Sequence, residues 1–292
     1  MQLQEEEFMQ IAIGFLETFK YQKAIEYFSK AIEINPNNSE AFELRGVSWF
    51  RLYSIEQSIE DTNKAIDLDK DNHRAWYNKG EILKYKKIYK EAEECYLEAN
   101  KLYSDSLFYL TGLIQTTKAL KKYDETISYC NQILEEHPAD KIAISYRGLA
   151  YAGKLNYEAA IKDYLKLIEI SKPNATNYNN IGFWYSKIGN LKKAFNNLTI
   201  SLQLNPTHPY ALDNMGHVRY LEGDYLKALE LINKSLEIDP SNSYGYKNRA
   251  LVYIKTGEKE LALQDLQKAK MLDYKEDYDN EVDEILKREF NL

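Results

Sequence analysis

The chain is poor in the residues that break or staple structure. Among 292 residues there are 6 Pro and 12 Gly, too few for long flexible linkers. The only cysteines are Cys95 and Cys130, which read as reduced core thiols and argue against a disulfide-framed secreted fold. Four histidines, His73, His137, His208 and His217, show no metal-ligand spacing with each other or with cysteine. No apolar run reaches the roughly 18 residues of a membrane span. The opening MQLQEEEFMQ is acidic and lacks the basic start and apolar core of a secretory signal. Without a secretory route the sequons at Asn37, Asn174, Asn197 and Asn233 carry no weight, and a cytoplasmic location is expected. No glycine-rich phosphate loop or nucleophile elbow occurs, so an enzyme is not expected, and neither a cofactor nor a metal.

Basic charge is scarce too. The net charge is −7, and residues 5–72 alone hold 7 Lys+Arg against 14 Asp+Glu, leaving the remainder neutral. An acidic chain without a basic face argues against nucleic acid as ligand.

What is present is a repeat. Gly182, Gly189, Ala194, Ser201 and Pro206 recur 34 residues later as Gly216, Gly223, Ala228, Ser235 and Pro240. A fixed period of this size marks a stacked helical array. One frame divides residues 1–276 into eight units: 5–38, 39–72, 73–106, 107–140, 141–174, 175–208, 209–242 and 243–276. Small residues hold position 8 (Gly46, Gly80, Gly148), position 20 (Ala24, Ala92, Ala160) and position 27 (Ala31, Ala65, Ala99), where helices must approach closely. Large residues hold position 4 (Phe42, Trp76, Tyr178), position 11 (Trp49, Tyr151, Tyr185) and position 17 (Tyr21, Tyr89, Tyr225). The 4-7-8-11 and 17-20-21-24-28 spacings are the faces of two helices. Gly189-Asn190 and Gly223-Asp224 turn the chain between them, and Asn205-Pro206 and Asp239-Pro240 end the second.

These residues resemble the tetratricopeptide repeat over 5–276. The resemblance implies an all-α, right-handed superhelical α-solenoid of antiparallel helix pairs, whose first helices line a concave groove. Residues 277–292 are expected to form a C-terminal capping helix, with Tyr278, Val282, Ile285, Leu286 and Phe290 on its apolar face. Repeat four departs from the pattern at Ile114, Thr117 and Thr126. It reads as compensated drift or as a hinge, and is the expected weak point in hydrogen exchange relative to repeat seven. Arg219 stands where an aromatic is usual; it reaches solvent or pairs with an acid.

The family's groove positions are 2, 5, 6, 9, 12 and 13. Position 6 holds Asn78, Asn180, Asn214 and Asn248, a row whose amides suit the backbone of an extended peptide. Around it stand Tyr146, Asn179, Phe183, Lys187, Tyr210, His217, Tyr220, Tyr244, Lys247 and Lys255. Exposed aromatics among polar groups suit an interface centre. Glu6, Glu40 and Glu43 make the other end acidic. The Lys-Asn, Asn, Lys-Arg clamp by which one subfamily holds heat-shock chaperone tails is not matched: Asn179, Phe183, Tyr244 and Asn248 fill its places, and Asn214 alone fits. The expected function is a protein–protein interaction scaffold binding an extended peptide or partner protein, with a homo-oligomer left open. The competing reading is an inhibitor or immunity-type protein that wraps a partner enzyme or toxin, its acidic half suiting a basic target.

Overall fold

The computed structural model describes residues 2–104, 106–272 and 281–292. The chain divides into two compact units, 1–138 and 139–292. In unit 1 the helices are α1 (Gln2–Glu17), α2 (Tyr21–Ile34), α3 (Ser39–Arg51), α4 (Ile55–Leu68), α5 (His73–Tyr85), α6 (Tyr89–Leu102), α7 (Leu107–Ala119) and α8 (Tyr123–Glu136). In unit 2 they are α9 (Lys141–Gly153), α10 (Tyr157–Ile170), α11 (Ala175–Lys187), α12 (Leu191–Leu204), α13 (Pro209–Leu221), α14 (Tyr225–Ile238), α15 (Ser243–Thr256), α16 (Lys259–Met271) and α17 (Glu281–Phe290). The described residues contain no strand. The protein is all-α, built from helix pairs packed in sequence.

Each pair starts and stops on short signals. Asn38, Asn72 and Asp140 accept the backbone N–H three residues on, at 2.9, 2.9 and 2.7 Å, capping α3, α5 and α9. His208 does the same for α13 through Nδ1. The turn between paired helices needs one left-handed residue. Glycine supplies it late in the chain, at Gly189, Gly223 and Gly257. Earlier, Phe19, Tyr53, Lys87, Lys121 and Leu155 adopt φ of about 60° with a side chain attached. A left-handed side-chain-bearing residue costs roughly 1–2 kcal/mol, and glycine gives back about 0.4–1 kcal/mol through the unfolded chain. Lys87→Gly is therefore expected to stabilise unit 1 by about 0.5 kcal/mol, read from its denaturation midpoint; a loss would mean Lys87 makes compensating contacts.

The small positions are set by close approach. A Cβ on Gly216 would stand 2.6 Å from Ile232 Cγ1, and one on Gly80 2.7 Å from the Tyr96 ring. Repeat four reverses the sizes: Ile114 on α7 and Cys130 on α8 are both fully buried. Its other two departures meet each other, since the Thr126 hydroxyl lies 3.0 Å from that of Thr117. The drift is thus repacked within the pair. Three of the pairs carry a bidentate Arg–Asp bridge, Arg45–Asp61, Arg147–Asp163 and Arg249–Asp265, all at 2.7–2.9 Å. Arg219 pairs with Glu222 at 2.7 Å and lies 4.5 Å over the Phe195 ring.

First helices touch their next neighbours, α1 with α3, α3 with α5, and α5 with α7 in unit 1, and α11 with α13 and α13 with α15 in unit 2. Each unit therefore presents a face made of first helices. At the C-terminal end, Val282, Ile285 and Leu286 of α17 are buried on Ala250, Leu251, Ala262, Leu266 and Ala269. Each such side chain contributes about 1.5–3 kcal/mol, enough to make α17 part of the last pair's core. Tyr278, expected on the same apolar face, lies outside the described residues.

Candidate binding groove

In unit 2 the first-helix face holds a cavity of about 270 Å³. Asn179, Asn180 and Phe183 come to it from α11, Tyr210 and Asn214 from α13, and Tyr244 from α15. These six were expected from the sequence. Thr176, Trp184, Leu149, His208 and Asp213 also line it and were not. Thr176 stands at groove position 2, so its placement was available from the frame. His208 gave no such signal, because a junction histidine that caps a helix looks like any loop residue.

The row of asparagines runs between repeats. Asn214 donates Nδ2 to Asn179 Oδ1 at 2.9 Å, Asn248 to Asp213 at 2.9 Å, and Asn78 to Glu43 at 2.6 Å. Each rung joins position 6 of one first helix to position 5 of the helix before it. Asn180 accepts from Asn179 and pairs with the Tyr164 hydroxyl. An amide has two donors and two acceptor sites, so Asn180 and Asn214 keep capacity facing the cavity. Asn248 is 4% exposed and stands inside the wall rather than on it.

Two rungs end on buried acids. Asp213 is 1% exposed, and burial lifts its pKa from 3.8 to about 6 against the pull of Asn248 and Lys247. Glu43 is 3% exposed, and burial lifts it from 4.5 to about 7 although Arg74 and Asn78 oppose this.

The remaining expected groove residues are engaged by the cap or lie apart. Lys247 binds Glu281 of α17 at 3.0 Å and Lys187 reaches the same oxygen at 3.8 Å. His217 stacks on Tyr220 at 5.8 Å, its Nδ1 buried without a hydrogen-bond partner. Burial and Lys247 push His217 down to about 3. Tyr220 packs into the cluster that holds α17, and exposed Lys255 sits in the field of Glu289. Tyr146 is half-buried on α9 near Tyr164. In unit 1, Glu6 and Glu40 are exposed around a depression of about 690 Å³ that Glu5 and Glu7 also line. Glu5 is held there by Asn35 and Asn38 at 3.0 and 2.6 Å.

Among the described residues no group of three His, Cys, Asp or Glu could hold a metal ion, and no helix is long and apolar enough to cross a membrane. Tetratricopeptide repeat models match residues 6–38, 73–106, 209–242 and 231–264. No curated protein matches. A tetratricopeptide repeat protein from Parabacteroides merdae superposes with a TM-score of 0.65 at 18% identity, covering 98% of both chains. The Pseudomonas aeruginosa pilF structure gives 0.59 at 20% identity, over 72% of this chain and 96% of that one. A chain of the APC/C Cut9–Hcn1 hetero-tetramer gives 0.62 at 16% identity, over 97% of this chain and 55% of that one. Residues 6–38, 73–106 and 209–264 are thus tetratricopeptide repeats, and the 34-residue period and the helix pairs carry the same unit along the chain.

Proposed function

We propose that the chain is a non-enzymatic protein–protein interaction scaffold that holds an extended peptide along the first-helix face of unit 2. The observation that carries this reading is the cavity itself. Its apolar wall comes from Phe183, Trp184, Tyr210, Tyr244 and Leu149, and among its polar groups Asn179, Asn214 and Asp213 are fixed by inter-repeat hydrogen bonds. Apolar walls with a few placed polar groups are what a bound side chain and its flanking backbone require. Phe183, Tyr210 and Tyr244 offer the anchor surface, and the amides of Asn180 and Asn214 offer backbone contacts. A reducing, cytoplasmic setting goes with this reading, since Cys95 and Cys130 are buried and not disulfide-linked, and burial pushes the Cys95 thiol up to about 11.

The test is selection of displayed random peptides on the full chain. Enriched peptides are expected to lose affinity by about tenfold or more on Phe183→Ala or Tyr210→Ala, as anchor residues do, and to keep it on Glu40→Ala. Peptides indifferent to Phe183 and Tyr210 would overturn the reading. The inhibitor reading draws on the exposed glutamates of unit 1, whose surface suits a basic partner. Binding lost with Glu6→Ala/Glu40→Ala and with raised salt, and kept with Phe183→Ala, would favour it instead.

A further inference from the structure

Two lysines of unit 2 converge on one carboxylate that belongs to the chain itself, with the neutral His217 on the helix between them. Lys187 stands at position 13 of α11, His217 at position 9 of α13, and Lys247 at position 5 of α15. They form a diagonal of potential donors across three adjacent first helices. The carboxylate is that of Glu281, the first residue of α17, whose Oε2 lies 3.0 Å from Lys247 Nζ and 3.8 Å from Lys187 Nζ. Burial would raise the Glu281 carboxyl, but Lys247 and Lys187 hold it below the ordinary carboxylate range.

The cap does not need this contact in order to be a cap. Its covering role is performed by Val282, Ile285 and Leu286, which are buried in the last pair's core. Glu281 instead places a negative group against Lys247 of the first-helix face, and Lys247 also acts on Asp213, which lines the cavity. Lys247 is 4% exposed and has Asp213 on one side and Glu281 on the other. A nearly buried ammonium is costly unless paired, so the site is built to hold a carboxylate.

We propose that Lys187, His217 and Lys247 form a carboxylate-binding site at the C-terminal end of the groove, which Glu281 fills in cis and from which an acidic peptide displaces it. The proposal rests on the groove reading above and names the charge of the ligand that groove prefers. The side chain of Glu281 is thereby an internal competitor: an incoming acidic residue must replace one carboxylate with another. An affinity set by such an exchange is lower than the site could give when empty.

The test uses full-length protein and a fluorescein-labelled peptide of four Ala-Glu repeats, with four Ala-Gln repeats as the neutral control. Glu281→Gln is expected to bind the acidic probe about tenfold more tightly than the parent, the gain a removed charged competitor allows. Glu281→Asp, with a shorter reach, is expected to fall between them. Lys187→Met in the Glu281→Gln background is expected to reverse the gain. Thermal unfolding of each variant separates this from loss of the cap. Equal affinity of parent and Glu281→Gln, equal binding of the neutral probe, a gain that survives Lys187→Met, or no binding of the acidic probe would each overturn the proposal. Peptides selected on the chain that still depend on Phe183 would keep the groove reading alive in those cases. Its own failure shows instead as selected peptides that ignore Phe183 and Tyr210.

Discussion

Replacing Glu43 by glutamine is expected to stabilise unit 1 at pH 8 and to leave its stability unchanged at pH 4. Glu43 is buried beneath the groove face of α3, and its pKa stands near 7 in the folded chain against an ordinary 4.5. Below pH 4.5 the carboxyl is protonated both folded and unfolded. Between 4.5 and 7 only the folded chain keeps the proton, so stability falls as pH rises. Above 7 the loss is complete, and 2.5 pH units at 1.36 kcal/mol each amount to about 3 kcal/mol. Asp213 obeys the same sign over a lower window, from 3.8 to about 6. Asp213→Asn is therefore expected to recover about 3 kcal/mol in unit 2, with the gain already complete by pH 7. Both substitutions keep an oxygen for the rung amide of Asn78 or Asn248. Urea unfolding of parent and variants at pH 4, 6 and 8 reads the effect. A Glu43→Gln variant less stable than the parent at pH 8 would mean that the ionised carboxylate, paired with Arg74, is the favourable form.

The second large effect is expected at the Arg147–Asp163 bridge. Arg147 donates Nε and Nη2 to the two oxygens of Asp163 at 2.9 and 2.7 Å, tying α9 to α10. The Asp163 side chain is 6% exposed and that of Arg147 21%. Asp163→Ala leaves a largely buried guanidinium without its fork partner, at a cost of about 3–5 kcal/mol. Because Arg147 keeps some access to water, the lower end of that range is expected. Arg147→Met with Asp163→Leu should return most of the loss, since two apolar groups leave no charge behind. Removing Lys227 from its exposed pair with Glu230 should cost under about 1 kcal/mol. An Asp163→Ala loss as small as that would show the bridge to be dispensable.

How far the sequence carries can be judged from particular residues. The period and the alternation of small and large positions survive in sequence because packing demands them in every repeat. Gly216 is small because Ile232 occupies the space its Cβ would need. The left-handed turn was legible at Gly189 and Gly223, and hidden at Tyr53 and Lys87, where the fold imposes a conformation that composition does not announce. The asparagine row was legible as a row. Its use was not, because a rung from Asn214 to Asn179 depends on how two helices 35 residues apart in sequence are juxtaposed. The cap hid most. Glu281 reads as one more solvated acid in an acidic tail, and Lys187, His217 and Lys247 read as open groove residues. Only the docking of α17 brings the four together.

A partner peptide is proposed to lie on the first-helix face of unit 2. This placement is tested most directly by putting a photo-crosslinking residue at Tyr210, which lines the cavity, and in a second variant at Leu226, which is 85% exposed on the second helix α14. A selected peptide is expected to cross-link from position 210 and not from 226. Cross-linking from 226 with none from 210 would put the binding surface on the outer helices and contradict the account.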